Sequence, residues 1–296
     1  GIADYSAELL PFLSQQFDIT LFSGQQFVPN TEYRIPITNY QLPIYPMRHF
    51  LAHRHQFTLP IYQMGNSDAH EPLYPMLLQQ PGLVVLHDFS LHHFVSHRTV
   101  GQGDAAGYSR ELAFAHGEQG RRQLGQVRLN AAKADVLHQW PLNGRVLAAS
   151  LGLIVHSDYV RQKLMAGGYS RPIVLSSQPM LPMPDHRPRT ELRRQIEVPL
   201  DALLLASVGQ ITPAKQLGLA LRAFAKLLRQ QPNAIDMLVG APNGEVDFDE
   251  MNDGLRIGAR VRREKPRLPP CVPWRQAARC CCLTTAGRRS CRMKWR

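Results

Sequence analysis

Cysteine is absent from the first 270 residues of the chain, and all five cysteines follow that point. Acidic residues are almost absent from the same end. Residues 255–296 hold 13 Lys and Arg but one acid, Glu264, and so carry a charge of +12, whereas the whole chain carries +11. The first 254 residues are therefore near neutral. A basic nucleic-acid-binding protein is disfavoured by this division, because the positive charge lies in one segment.

Long apolar runs are also lacking. No stretch of ~18 apolar residues is present, so the sequence predicts no membrane-spanning helix. No signal-peptide pattern precedes the first predicted helix, and the chain opens on Gly1, which suggests a fragment or a clipped product. The cysteine-free body fits a reducing cytosol. The tail lacks paired Cys-x2-Cys spacing, so no zinc site is expected there.

What is present is an alternation of apolar strands and helices. Continuous apolar runs are typical of parallel strands buried on both faces. The predicted strands are 17–22, 59–63, 82–86, 151–155, 173–175, 203–208 and 237–239. Residues 29–46 are rich in Pro and Tyr and are expected to form an irregular connection. The pattern predicts an α/β protein with parallel sheets.

Four segments are predicted along the chain. Residues 1–180 form a Rossmann-like domain, and the proline-rich residues 181–190 form a linker. Residues 191–254 start a second Rossmann-like domain. Residues 255–296 show no period that would complete its sheet, so we expect fewer than five strands there and exposed apolar surface on Leu203, Leu205 and Val239. The composition change near residue 254 is most simply explained by a frameshift or a misplaced chain end.

His87 and Asp88 follow directly on the predicted strand 82–86. Ligands of open α/β sheets collect at the carboxyl ends of strands. A histidine there can orient a ligand hydroxyl or take a proton, and His87 and Asp88 are the candidate catalytic residues. A hydrogen-bonded structural histidine is an equally good interpretation.

Two predicted helix starts are candidate anion sites. Gly1 and Ile2 open the first helix, where backbone amides can approach a ligand. Gly209 and Gln210 follow a buried strand, and Lys215 adds a charge near the start of the next helix. The alternatives are a plain helix start and a solvated lysine. The Gly-x4-Gly-Lys-Ser/Thr pattern of a P-loop is absent.

Metal signals are weak. His93 and His97 are four residues apart, but no third ligand has a persuasive spacing. Asp247 and Asp249 imitate an Asp-x-Asp metal motif, and acids at a helix start explain them better. No metal and no cofactor are therefore expected.

Several segments together resemble bacterial group-1 (family 4) glycosyltransferases. Their order and spacing, rather than any one motif, carry the resemblance over residues 1–250. The segments are Gly1–Ser6, Gln63–Asn66, Val85–Asp88 with Leu91–His93, Glu111–Gly117, Val155–Ser157 and Ser207–Gly209 with Lys215.

The resemblance implies a GT-B fold, in which two Rossmann-like domains face each other, the second being incomplete here. It also implies a retaining, metal-independent transfer of a sugar from a nucleotide-sugar donor to a glycan or lipid-linked acceptor. His87 would contact the transferred sugar, Gly1 and Lys215 the donor phosphates. A lipid-linked acceptor would bring the protein to the inner surface of the cytoplasmic membrane. No specific nucleic-acid partner is expected.

The chain departs from the family at two points. Gln210 stands where the family often has an arginine, and glutamate is absent after Glu264, so the family's pair of donor-binding glutamates has no counterpart. We therefore expect weak donor binding by this chain. The leading hypothesis is a glycosyltransferase, and the alternative is a non-catalytic binding remnant of that family.

Overall fold

A computed structural model describes residues 2–24, 32–34, 41–129, 136, 139–178, 187–209, 215–240, 261–264 and 281–285. By its internal contacts the chain divides into two compact units. Unit 1 comprises residues 1–181 together with 272–296, and unit 2 comprises residues 182–271. The two segments described within the predicted tail thus fall in different units.

The helices of unit 1 are α1 (Ile2–Leu13), α2 (Phe50–His53), α3 (Leu73–Gln79), α4 (His92–Arg98), α5 (Ala105–Leu129), α6 (Gly144–Ala149) and α7 (Asp158–Ala166). Its strands are β1 (Ile19–Ser23), β2 (Glu32–Arg34), β3 (Gln41–Pro46), β4 (Leu59–Met64), β5 (Gly82–Leu86), β6 (Ser150–Val155), β7 (Ile173–Leu175) and β11 (Cys281–Thr285). Ser157 caps α7 by accepting a hydrogen bond from the Val160 amide, and α5 has a kink at Gly117.

These strands form one sheet in the order β2-β3-β1-β11-β4-β5-β6-β7. Strands β4 to β7 run parallel to one another, and β1 runs parallel to β3. Parallel neighbours need helical crossovers, which is why α3 and α6 stand directly before β5 and β6. The α/β class with parallel, Rossmann-like sheets is confirmed, and the GT-B arrangement of two such domains stays a prediction.

One expectation about an irregular segment is wrong. Within residues 29–46, β3 is a strand, and its Ile44 and Tyr45 pair with Leu21 and Phe22 of β1 despite two flanking prolines. In the predicted tail, β11 lies antiparallel between β1 and β4. Backbone groups make the ladder hydrogen bonds, so strand pairing needs no apolar period in the sequence.

The core of unit 1 lies along β4, β5 and β6. Its fully buried residues include Tyr62, Met64, Val84 and Val155, each with 0% of its surface exposed. The Tyr62 hydroxyl donates to the Gln80 carbonyl at 2.6 Å and so fastens β4 to the end of α3. This packing holds the carboxyl ends of the three strands at fixed relative positions.

Unit 2 contains α8 (Arg189–Gln195), α9 (Leu217–Leu227) and the strands β8 (Leu204–Val208), β9 (Ile235–Val239) and β10 (Val261–Glu264). The sheet order is β10-β9-β8, all parallel, so the described part of this unit has three strands. Leu221 and Phe224 of α9 pack with Leu238 in one buried cluster. Leu203 is 44% exposed as expected, whereas Leu205 and Val239 are half-buried.

None of the helices in the described parts of the chain has the length and apolar character needed to span a membrane.

Candidate functional site

His87 is the first residue after β5, at the carboxyl edge of the sheet of unit 1. Its backbone amide donates to the Met64 carbonyl at the end of β4, at 2.9 Å. Its Nε2 lies 2.7 Å from Oε1 of Gln63, whose side chain is buried in β4. An amide oxygen only accepts hydrogen bonds, so Nε2 carries the proton and Nδ1 is left with a lone pair.

The surroundings of His87 favour the uncharged imidazole. Burial, with the neighbouring imidazoles of His156 and His70, lowers the pKa of His87 to about 4. The ring therefore has no charge at neutral pH. It is suited to accept a hydrogen bond from a ligand hydroxyl and unsuited to neutralise an anion.

Two further ring side chains meet His87 at this edge, and a third histidine, His70, is near enough to lower the pKa of His87. The Tyr5 ring, on α1, lies edge-to-face against the His87 ring at 4.8 Å between centroids and 5.0 Å from the ring of His156. The rings of His87 and His156 are 5.2 Å apart. His70 follows β4 in a short turn and is 2% exposed. We call Tyr5, Gln63, His70, His87 and His156 the edge cluster.

His156 directly follows β6 as His87 follows β5. Its Nδ1 is 2.9 Å from the Ser176 carbonyl oxygen, and the Nδ1 of His70 is 3.1 Å from the Ser67 carbonyl oxygen. The Nε2 atoms of both histidines are buried without a hydrogen-bond partner, as is Nε2 of Gln63. Buried polar atoms of folded proteins rarely lack partners, so this group of unpaired atoms makes the edge cluster the candidate site of unit 1.

Asp88 lies beside the edge cluster, and its carboxylate is used in the fold. Its Oδ2 accepts a hydrogen bond from the Asn66 amide at 2.8 Å, and this fixes the turn after β4. Gly65 in that turn has no room for a side chain. A Cβ there would lie 2.7 Å from Cδ1 of Ile2 and 3.0 Å from Cε1 of His70. The first turn of α1 thus packs closely onto the edge cluster.

The histidines of α4 have other roles. His92 is fully buried, with Nδ1 2.5 Å from the Trp140 carbonyl oxygen and Nε2 2.9 Å from the Tyr108 hydroxyl, and it is a structural residue. His93 and His97 are exposed. The described residues hold no group of three His, Cys, Asp or Glu placed to bind a metal ion.

In unit 2 the structure brings Gly209 and Lys215 together. Gly209 directly follows β8 and has a φ of +133°, a conformation that favours glycine. The Lys215 Nζ would lie 3.8 Å from a Cβ at that position, and both residues line a cavity of about 170 Å³. Helix α9 begins at Leu217, two residues after Lys215. Gly1, Gln210, Asp247 and Asp249 lie outside the described residues.

Sequence reasoning singled out His87 but missed the rest of the edge cluster as a unit. The rule that selected His87, a polar residue just after a buried strand, also selects His156 after 151–155 and Gln63 at the end of 59–63. No local signal identifies Tyr5 or His70. They reach the cluster only because α1 and the turn after β4 pack there.

Comparison with known proteins gives one partial similarity and no family profile that matches the chain. The chain is similar to the D-inositol 3-phosphate glycosyltransferase of Kribbella flavida, with 36% identity over 102 residues, which is 31% of this chain. The aligned part covers 24% of that relative's length, about a quarter. This similarity supports a relationship to glycosyltransferases.

Proposed function

We propose that the chain is a glycosyltransferase that moves a sugar from a nucleotide-sugar donor to a hydroxyl group of a glycan or lipid-linked acceptor. The observation that carries the proposal is the edge cluster. It gathers hydrogen-bonding groups, three of whose buried atoms have no partner, at the carboxyl edge of a Rossmann-like sheet, where ligands of such sheets bind. The partial similarity to a glycosyltransferase supports the same reaction class.

The proposed diphosphate contacts lie in unit 2. Lys215 supplies a point charge close to the backbone of Gly209 and near the first amides of α9. Helix N-terminal amides and a lysine together suit a diphosphate. By the family resemblance, the reaction is retaining and needs no metal.

In this reaction the bond between the sugar's anomeric carbon and the diphosphate oxygen breaks, the acceptor hydroxyl oxygen bonds to that carbon on the same face, and the hydroxyl proton passes to the leaving diphosphate. Lys215 stabilises the charge that develops on the leaving diphosphate. Nδ1 of His87 accepts a hydrogen bond from the transferred sugar and holds it in register. Asp88 keeps the turn after β4 in place through the Asn66 amide.

The test is transfer of radiolabelled sugar from a panel of nucleotide sugars to glycan and lipid-linked acceptors. We expect His87→Ala and Lys215→Ala each to lower kcat/KM about 10- to 100-fold, which corresponds to one hydrogen bond involving a charged or transition-state group, about 1.5–3 kcal/mol. His93→Ala and Lys226→Ala are matched controls, since both residues are exposed and lie outside the two sites. Full activity in either test variant removes that residue from the site.

The second candidate is a non-catalytic binding remnant of the same family. It is favoured by the absence of glutamate after Glu264 and by the three described strands of unit 2. Under this hypothesis a glycan acceptor binds but no nucleotide sugar is consumed. Calorimetry with nucleotide sugars separates the two, because micromolar donor binding contradicts the remnant hypothesis.

A further inference from the structure

The hydrogen bonds of the edge cluster determine which imidazole nitrogen carries the proton. His70 and His156 each direct Nδ1 at a backbone carbonyl, which only accepts, so in the neutral ring Nδ1 is protonated and Nε2 has the lone pair. His87 is the reverse, because its Nε2 donates to Gln63. Three acceptor nitrogens therefore belong to one cluster, two of them buried and without partners.

Three lone pairs specify the kind of ligand. A phosphate offers oxygen acceptors and would be repelled by them, whereas each hydroxyl of a sugar or polyol is a donor. Burying these nitrogens without a hydrogen-bond partner lowers the stability of the unliganded protein. Hydroxyl groups of a ligand would supply the missing hydrogen bonds. The unpaired Nε2 of Gln63 is itself a donor, so a hydroxyl that both donates and accepts fits beside it.

We propose that Nε2 of His70, Nε2 of His156 and Nδ1 of His87 together accept hydrogen bonds from the hydroxyl groups of an uncharged sugar or polyol ring. The inference deepens the proposed function and rests on it in one respect: the bound ring is part of a substrate if the chain transfers sugars. It adds His70 and His156 as binding residues. The ring reaches the nitrogens by displacing the Tyr5 side chain, which lies against His87 and His156.

Imidazole 15N chemical shifts test the proposal directly. In the free protein labelled with 15N-histidine, His70 and His156 should show the Nδ1–H tautomer and His87 the Nε2–H tautomer. Adding myo-inositol or methyl glucoside, two uncharged rings, should shift the three acceptor nitrogens and the Tyr5 ring signals. The nitrogens of the exposed His93 should not move.

Substitutions at His156 separate binding from folding. His156→Asn keeps an N–H near the Ser176 carbonyl but lacks an acceptor at the Nε2 position, and we expect it to weaken ring binding about 3- to 10-fold, the value of one neutral hydrogen bond. His156→Gln restores a polar atom at that position and should recover part of the loss. His93→Asn is the matched control.

Three results would overturn the proposal. In the first, inorganic phosphate or zinc shifts the signals of the acceptor nitrogens and the uncharged rings do not. In the second, neither ring shifts them. In the third, His156→Asn binds the ring as tightly as the parent protein. Ring binding without any glycosyl transfer refutes the proposed function alone. Transfer with no ring-induced change at the cluster refutes this inference alone.

Discussion

Acid should destabilise unit 1 through His87. In the folded protein, burial and the imidazoles of His156 and His70 lower the pKa of His87 to about 4, from an ordinary value of 6.5. As the pH falls, the unfolded chain therefore takes up the proton first. The stabilising contribution is complete above pH 6.5 and is lost as the pH falls from 6.5 to about 4.

The size of the effect follows from that pKa difference. Each pKa unit corresponds to about 1.4 kcal/mol, which gives about 3 kcal/mol if the ring is fully shielded. The His87 ring is only half-buried, and solvent screens part of the interaction, so we expect about 2 kcal/mol. The pKa values of His70, His92 and His116 are lowered by burial too, and their acid-induced losses add to that of His87.

The measurement is urea unfolding at pH 7.5 and pH 4.5, followed by the fluorescence of Trp140, which is buried in unit 1. Trp274 and Trp295 are replaced by Phe in all proteins compared. His87→Gln should lose about 2 kcal/mol less than the parent between the two pH values, because the other histidines contribute equally to both. With m of ~2 kcal/mol per M, the urea midpoint of the parent should fall by about 1 M more than that of His87→Gln between pH 7.5 and pH 4.5.

His93→Gln is the matched control, since it removes an exposed histidine on α4. It should lose as much stability on acidification as the parent. The reasoning is refuted if His87→Gln also loses as much as the parent, because His87 would then not be held in its neutral form by the fold.

Two further substitutions test the framework around the edge cluster. Tyr62→Phe removes the hydroxyl that donates to the Gln80 carbonyl at 2.6 Å, and thermal unfolding should show a loss of about 1–2 kcal/mol; an unchanged midpoint would mean that this bond does not fasten β4 to α3. Gly65→Ala places a Cβ 2.7 Å from Cδ1 of Ile2, and we expect a loss of about 1–3 kcal/mol together with weaker ring binding. Adding Ile2→Ala should relieve part of both effects, and the idea fails if Gly65→Ala alone binds the ring as the parent does.

The strands of the parallel sheets were accessible from the sequence. β5 and β6 are continuous apolar runs because both of their faces are buried, and burial on both faces leaves a local signature. The position of His87 followed from the same run, since a polar residue after a buried strand lies at the carboxyl edge. The Ser157 cap of α7 also reflects a local property, because serine is a preferred N-cap residue.

The strands β3 and β11 were not accessible. β3 contains prolines, which usually argue against a strand, and it pairs with β1 through its remaining backbone groups. β11 joins β1 and β4 from a position more than 200 residues later in the chain. Such pairings depend on which edges are open in space, and no local pattern records that.

The edge cluster shows the same division. The sequence determined that polar residues lie at or directly after the ends of β4, β5 and β6, because strand ends and their polar neighbours are consecutive in the chain. Only the tertiary structure decided that Tyr5 and His70 join His87 and His156. Strand order and the packing of α1 bring them together, and these arise from contacts between residues far apart in the sequence, whose energies no single segment contains.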